Sequence, residues 1–299
     1  MTILPAALNH GHEYREQLDL RARGLTVLGY LTARYRHSTE SVWRERIERG
    51  EVRLEGIVAG PEQPLLLGQH LSWWRPPWQE PEVPAHFEPI FEDDDLLVVS
   101  KPSGLPCQPG GGFLENTLLR LVQQRDSGWA PMHRLGRGTS GLVVFARGAE
   151  ARARVQADWR NHLVGKLYRA LASGRVPAEP FTVETPIGLL GHPALGQIHA
   201  ACATGRAALS EVRLVGPRGE DSLVEVRIVT GRPHQIRIHL AASGHPLVGD
   251  PLYGPGGLPK SEALPGDLGY LLHAWRLKLR HPRTGCLLEL EAPLPPRLA

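Results

Sequence analysis

The sequence predicts an α+β fold, in which a mixed and mostly antiparallel sheet is preceded by a small α/β unit. In the longer, C-terminal part, strand-like segments dominate, and helix-like segments interrupt them irregularly instead of alternating with them. A proline-rich stretch separates this part from the N-terminal unit. A length of 299 residues suits two domains of this kind.

The N-terminal unit is predicted to span residues 1–80, and its first 20 residues carry few organised signals, which indicates an irregular lead-in. Val27 and Leu31 then have helical spacing, and Ser38 or Thr39 can cap a second helix. Short strands are expected after this helix, at residues 52–54, 65–67 and 69–73.

Five prolines lie between Arg75 and Pro89. Proline can continue neither a helix nor a central strand, so residues 75–89 are predicted to form a stiff linker. The second domain is then expected at residues 88–299.

The composition excludes several classes of protein. No apolar run approaches the roughly 20 residues that span a bilayer, and no secretory signal is evident. The three cysteines are widely spaced and form no metal-binding pair, so a reducing cytoplasm is expected. A monomer is the default expectation for the oligomeric state. The net charge of +3 is only mildly basic, although arginine supplies 30 of the 34 cationic residues, which suits phosphates and bases.

Four segments of the second domain carry the residues that are suited to chemistry, at positions 91–106, 133–142, 166–170 and 230–254. In this order and spacing they resemble the motifs of the RluA family of RNA pseudouridine synthases, and the resemblance covers roughly residues 88–295. It implies the pseudouridine synthase fold, isomerisation of uridine to pseudouridine in structured RNA, and no cofactor, because the reaction has no redox step.

The resemblance also implies roles for individual residues. Tyr168 is expected to lie over the uracil ring, Arg134 to enter the RNA stack when the base flips out, and Arg237 to pair with a catalytic carboxylate. A half-buried strand tyrosine and a structural loop arginine are the alternatives for Tyr168 and Arg134. Further RNA contacts are predicted at Arg137, Arg232, His234 and Gln235.

Two histidines, His234 and His239, could suggest a metal site in the last segment. The nearby cations Arg232 and Arg237, and the lack of a neighbouring carboxylate, make this interpretation unfavourable. We therefore predict no metal.

The sequence departs from the family pattern at Gly136, which occupies the position of the catalytic aspartate. Glycine can be neither a nucleophile nor a base, and Arg237 would lose its partner. A carboxylate from elsewhere, with Glu184, Asp158 and Glu225 as candidates, could replace it. A bound anion would also neutralise the unpaired charge of Arg237, and rotation of Arg237 into solvent would expose that charge to water. An active RNA pseudouridine synthase is therefore the predicted function, and a catalytically silent homologue that binds RNA as an assembly factor is the alternative.

The N-terminal unit resembles the S4-like RNA-binding module, which favours ribosomal over transfer RNA as the partner. Its charge does not decide the point, because residues 1–80 contain ten basic and ten acidic residues. Arg44, Arg46 and Arg49 form either a local RNA-binding patch or an ordinary solvated helix face.

Overall fold

The computed structural model of the chain describes residues 3–35, 38–193, 196–262 and 268–299. It divides into two compact units, Ala7–Glu80 and Met1–Ala6 with Pro81–Ala299, here called the small unit and the large unit. Along the described ranges, no helix has the length and apolar character needed to cross a bilayer.

In chain order, the strands are β1 (Ile3–Leu4), β2 (Ala7–Leu8), β3 (His12–Gln17), β4 (Val52–Leu54), β5 (Ile57–Val58), β6 (His70–Arg75), β7 (Gln79–Glu80), β8 (Val83–Pro84), β9 (Glu88–Glu92), β10 (Leu96–Lys101), β11 (Trp129–Pro131), β12 (Ser140–Arg147), β13 (Gly165–Ala172), β14 (Phe181–Val183), β15 (Ile187–His192), β16 (Gly196–Ala201), β17 (Ser210–Arg218), β18 (Asp221–Ile228), β19 (Leu272–Arg280) and β20 (Leu287–Glu291). The α-helices are α1 (Val27–Arg34), α2 (Glu40–Glu48), α3 (Leu118–Arg125), α4 (Ala149–Arg160) and α5 (Gln235–Ala242). Short 3-10 turns lie at Leu20–Ala22, Pro255–Gly257 and Pro296–Leu298.

The small unit packs α1 and α2 against an antiparallel sheet with the strand order β3-β6-β4-β5. Thr26 and Thr39 cap the two helices by accepting hydrogen bonds from the backbone N–H groups of Gly29 and Val42. Trp43 is fully buried at the centre of this core. The two helices and the cap at Thr39 confirm the prediction from the sequence.

The arginines of α2 are engaged within the small unit. Arg46 bonds Glu51 at 2.8 Å, and Arg49 pairs with Glu45 at 2.5 Å. Arg44 lies 3.4 Å from carboxylate oxygens of both Glu40 and Glu62. This pairing favours an ordinary solvated helix face over an RNA-binding patch.

The large unit is built on one sheet with the strand order β14-β17-β18-β13-β19-β12-β10-β9, with β11 added beside β12 and β20 beside β19. The β12–β19 pair is parallel, and the other pairs of this sheet are antiparallel. The predicted mixed, mostly antiparallel sheet is therefore confirmed.

Burial explains the apolar run of β10. Leu97 and Val99 face the main core of the large unit, whereas Leu96 and Val98 face a second core on the other side of the sheet. All four are completely buried. A strand covered on both faces has a continuous apolar sequence. β12 is also buried on both faces, which fixes the loop that precedes it, at residues 132–139.

Two expectations about local structure were wrong, and one hairpin was missed. The lead-in is not irregular, because β3 pairs with β6 along its whole length, and β1 and β2 pair with strands of the proline-rich segment. Residues 65–67 are not a strand but lead into a turn at residues 67–68, and the Leu66 N–H bonds the Gln69 side chain at 2.8 Å. The β15–β16 hairpin was not predicted.

Candidate functional site

Residues 132–139 form a loop between β11 and β12, and Lys101 at the end of β10 holds it in place. The buried Lys101 ammonium donates to the carbonyls of Pro102 (2.8 Å), Leu105 (2.7 Å) and Arg137 (3.3 Å). Burial lowers the pKa of Lys101 to about 8, so the side chain stays mostly charged at pH 7. Arg137 returns a bond from its Nε to the Gly104 carbonyl at 3.0 Å. These hydrogen bonds thus hold the backbone around Gly136 in place.

Tyr168 lies on β13, at the centre of the sheet, with its ring in the main core and only 8% of its surface exposed. Burial raises the pKa of Tyr168, so the phenol is neutral at physiological pH. Tyr168 is therefore a neutral aromatic ring held on a rigid strand.

Arg237 on α5 is buried and has a carboxylate partner. Its Nε lies 2.7 Å from Oδ2 of Asp250, and its Nη2 lies 2.6 Å from Oδ1. Asp250 Oδ1 also accepts from the N–H groups of Leu252 (2.8 Å) and Tyr253 (3.1 Å). The Arg237 guanidinium lies 4.2 Å from the centre of the Tyr270 ring. Asp250 therefore neutralises the positive charge of Arg237, and the Tyr270 ring packs against the guanidinium.

This pairing corrects the sequence-based expectation about the charge of Arg237. Asp250 is the partner, and Glu184, Asp158 and Glu225 are not. Glu225 instead binds Arg169 at 2.8 Å and Arg213 at 2.5 Å. The sequence could not show this, because an ion pair depends on tertiary placement.

A cleft of about 110 Å³ brings most of the predicted residues together. A groove of about 510 Å³ adjoins it, shares Arg134, Gly136, Arg232 and His234 with it, and includes Arg137. The predicted residues that line the cleft itself are Arg134, Gly136, Tyr168, Arg232, His234, Gln235 and Arg237. The loop, β13 and α5 therefore build one site.

Among the described residues that line the cleft and the groove, none is an aspartate or a glutamate. Asp250, the carboxylate that pairs with Arg237, is not among these lining residues and is only 1% exposed in its side chain. With four hydrogen bonds on its two oxygens, this carboxylate is fully engaged in structure. It is not placed to attack or deprotonate a ligand in the cleft.

The cleft carries positive charge at its rim. Arg232 donates its Nε to the Ala207 carbonyl at 2.9 Å, which fixes the stem of this side chain. Arg134 is exposed, and no hydrogen bond or ion pair to it is found within the ranges that the structure describes. These arginines suit the phosphates of a polyanion.

His234 precedes α5 in a left-handed conformation, with φ 55°. Its Nδ1 lies 2.7 Å from the Tyr253 hydroxyl, which itself donates to the His199 carbonyl at 2.6 Å. Since the phenol proton is used, Nδ1 must carry the proton and donate. Desolvation by surrounding atoms, followed by repulsion from Arg237, lowers the pKa of His234 to about 4. The imidazole is neutral at pH 7.

Gln235 and His239 are engaged within the large unit. The Gln235 amide bonds Thr230, Arg232, Leu209 and Ser210, so it shapes the cleft wall. His239 contacts Ser210 Oγ at 2.9 Å and the Thr185 carbonyl at 3.0 Å through its two ring nitrogens. Neither nitrogen of His239 is left over for a metal.

Tyr270 is a cleft residue that the sequence did not reveal, since it lies outside the four segments. Its hydroxyl is 3.2 Å from Thr139 Oγ1. Thr139 closes the loop locally, because its N–H bonds the Gly136 carbonyl at 3.1 Å. Its hydroxyl, however, reaches across the fold to a residue 131 positions later.

Residues 95–242 match the model of the RNA pseudouridylate synthase family. The chain is also 43% identical to an uncharacterised RNA pseudouridine synthase of Synechocystis, over 91% of this chain and 95% of the relative. The chain belongs to the RNA pseudouridylate synthase family.

Other members of the family resemble this one over most of its length. RNA pseudouridine synthase 5 of Arabidopsis thaliana is 36% identical, with 97% of this chain and 95% of the relative aligned. Ribosomal large subunit pseudouridine synthase D of Neisseria meningitidis is 33% identical, with 90% and 75% aligned. The structure of human RNA pseudouridylate synthase domain containing 1 superposes with a TM-score of 0.56 at 25% identity, covering 72% of this chain and 87% of the human one. The predicted pseudouridine synthase fold is confirmed.

Proposed function

We propose that the protein binds structured RNA and accommodates an extruded uridine in the cleft, without isomerising it. Membership of the family supports uridine as the nucleotide and RNA as the partner. A base within folded RNA must leave its stack to enter a pocket, which costs a few kcal/mol. A binding site for it needs an aromatic face for the base and cations for the backbone.

The cleft supplies both requirements. The Tyr168 ring is the face on which the uracil stacks, and its burial keeps it rigid. Arg134 is exposed at the rim and replaces the flipped base in the RNA stack. Arg137 and Arg232 attract the flanking phosphates along the adjoining groove.

The lack of a carboxylate among the described lining residues is the observation that carries the proposal. Isomerisation breaks the bond from ribose C1′ to uracil N1, turns the base, joins C5 to C1′ and removes the C5 proton. In the family an aspartate attacks or deprotonates the ribose, and Gly136 stands at that position. Removing such a group usually costs many orders of magnitude in rate.

An active RNA pseudouridine synthase is the second candidate. It is favoured by the shared cleft of Tyr168 and Arg237, the other two residues that the resemblance assigns to the chemistry. Several relatives, including that of Neisseria meningitidis, are ribosomal large subunit pseudouridine synthases, which favours ribosomal over transfer RNA as the partner in either case.

One experiment separates the two candidates. The purified protein is incubated with total RNA from a strain that lacks the gene, bound RNA is recovered, and its pseudouridines are mapped. We expect enrichment of structured RNA and no new pseudouridine after long incubation. A new site that depends on the protein would establish the isomerase instead.

Two substitutions of Tyr168 report on the cleft in the same assay. Tyr168→Phe retains the ring and should leave RNA affinity nearly unchanged, whereas Tyr168→Ala removes the stacking face and should weaken binding about tenfold or more. Equal affinity for both variants would exclude the cleft as the site of base binding.

A further inference from the structure

Tyr270 lies against the loop at the position from which a residue 136 side chain would project. A Cβ atom added to Gly136 would lie 3.2 Å from the Tyr270 hydroxyl oxygen and 3.6 Å from Thr139 Oγ1. All three residues line the cleft. The Tyr270 hydroxyl therefore lies beside the place of the missing carboxylate.

The sequence Gly136-Arg137-Gly138 makes this approach possible. A Cβ on Gly138 would lie 2.8 and 2.9 Å from ring carbons of Tyr270, closer than such atoms can pack. Arg237 covers the ring, at 4.2 Å from its centre. The lack of side chains at residues 136 and 138 lets the Tyr270 ring pack against the loop, and the Arg237 guanidinium also holds the ring. Thr139 Oγ1 orients the Tyr270 hydroxyl at 3.2 Å.

We propose that the Tyr270 hydroxyl is the group that contacts the ribose 2′-hydroxyl of the nucleotide in the cleft, and that it selects ribonucleotides over deoxyribonucleotides. This inference rests on the proposed function, because it requires an extruded nucleotide in the cleft. A phenol has one proton to donate and lone pairs to accept. The bond with Thr139 uses one of these capacities and leaves the other for the ligand. The 2′-hydroxyl donates and accepts, and distinguishes RNA from DNA at a given site.

The test uses the full-length protein and two fluorescent RNA hairpins that differ at one position. The first has a single loop uridine, and the second has 2′-deoxyuridine there. Fluorescence anisotropy gives the ratio of the two dissociation constants. For the wild type we expect about three- to tenfold tighter binding of the uridine hairpin, which corresponds to one net hydrogen bond. Tyr270→Phe should bring the ratio close to one, without weakening binding of the deoxyuridine hairpin.

Gly136→Ala provides a second variant, because its Cβ crowds the Tyr270 hydroxyl without removing it and its backbone conformation is not restricted to glycine. It should also lower the ratio. Tyr14→Phe, which removes a phenol hydroxyl from the small unit, is the matched control and should preserve the wild-type ratio.

The outcomes distinguish this inference from the proposed function. If Tyr168→Ala weakens binding but the wild-type ratio is close to one, or Tyr270→Phe leaves the ratio unchanged, the role of Tyr270 is wrong and cleft binding stands. If Tyr168→Ala binds both hairpins as well as the wild type does, both proposals are overturned.

Discussion

Arg237 and Asp250 form a bidentate ion pair behind the cleft, with N–O distances of 2.7 and 2.6 Å. Their side chains are 8% and 1% exposed. The pair removes the need for a carboxylate at residue 136 to neutralise Arg237. A glycine is therefore electrostatically acceptable there, at the position that the resemblance gives to a catalytic aspartate.

The first prediction concerns the stability that depends on this pair. Asp250→Asn retains an oxygen acceptor but leaves the buried Arg237 charge uncompensated, so the free energy of unfolding should fall by about 3–5 kcal/mol. Urea denaturation measures it. Glu291→Gln is the control, since Glu291 and Arg276 form a 2.7 Å pair with both side chains 52% exposed. The control should lose less than about 1 kcal/mol. Equal losses would mean that Arg237 has another counter-charge.

The second prediction concerns the fit of Tyr270 against the loop. Gly138→Ala places a Cβ 2.8 Å from the Tyr270 ring and should lower the free energy of unfolding by about 1–3 kcal/mol through overpacking. Gly136→Ala places its Cβ 3.2 Å from the Tyr270 hydroxyl and 3.6 Å from Thr139 Oγ1, and should cost less.

A double-mutant cycle tests the cause of this difference. In a Tyr270→Ala background the added cost of Gly138→Ala should largely disappear, because the clashing ring is absent. A cost that persists in that background would place the clash elsewhere.

The third prediction concerns acid stability and His133. This ring stacks on Trp159 at 4.5 Å between centroids, and its Nε2 accepts from the Val144 N–H at 3.1 Å. Burial, followed by repulsion from Lys166, lowers the pKa of His133 to about 3. Between about pH 6.5 and 3 the unfolded chain binds a proton that the folded protein does not. Stability should therefore be lost as the pH falls through this window, by about 1.4 kcal/mol per pH unit from this residue.

His133→Gln keeps an acceptor for the Val144 N–H and should reduce the pH slope of the free energy of unfolding by about one proton. His10→Gln replaces an exposed histidine and should leave the slope unchanged. An unchanged slope in His133→Gln would show that His133 is protonated in the folded protein.

The fourth prediction concerns Arg232 and the salt dependence of RNA binding. Because Arg232 is proposed to contact a phosphate in the groove, Arg232→Ala should lower the slope of log affinity against log salt concentration by about 0.7–0.9, the value for one phosphate contact. Arg44→Ala should not change the slope, because Arg44 already lies beside Glu40 and Glu62. The opposite pattern would assign the RNA contacts to the small unit.

Much of the site could be predicted from the sequence, because the four segments place Gly136, Tyr168 and Arg237 on a loop, a strand and a helix that one sheet brings together. The central strands and the cap of α2 at Thr39 follow from local residue patterns. The ion-pair partners of charged side chains do not follow from such patterns. Asp250 lies 13 residues from Arg237, and no local sequence pattern indicates that the two side chains form an ion pair.

Tyr270 could not be found for a similar reason. It approaches Gly136 and Gly138 only because β12 and β19 are neighbouring strands, which is a property of the sheet order. The short strands of the N-terminal segment were missed because two-residue pairings carry no periodic signal.

Placing an acid at residue 136 and measuring pseudouridine tests whether the cleft receives an extruded uridine and lacks only a carboxylate. The backbone at Gly136 can carry a side chain if the Tyr270 hydroxyl moves by a few tenths of an ångström. Gly136→Asp and the uncharged control Gly136→Asn are incubated with the bound RNA recovered from the wild type, and pseudouridine is quantified by mass spectrometry. The account predicts that Gly136→Asp forms pseudouridine at least about 100-fold faster than Gly136→Asn and the wild type. A folded Gly136→Asp that binds this RNA and forms no pseudouridine, or a wild type as active as that variant, would contradict it.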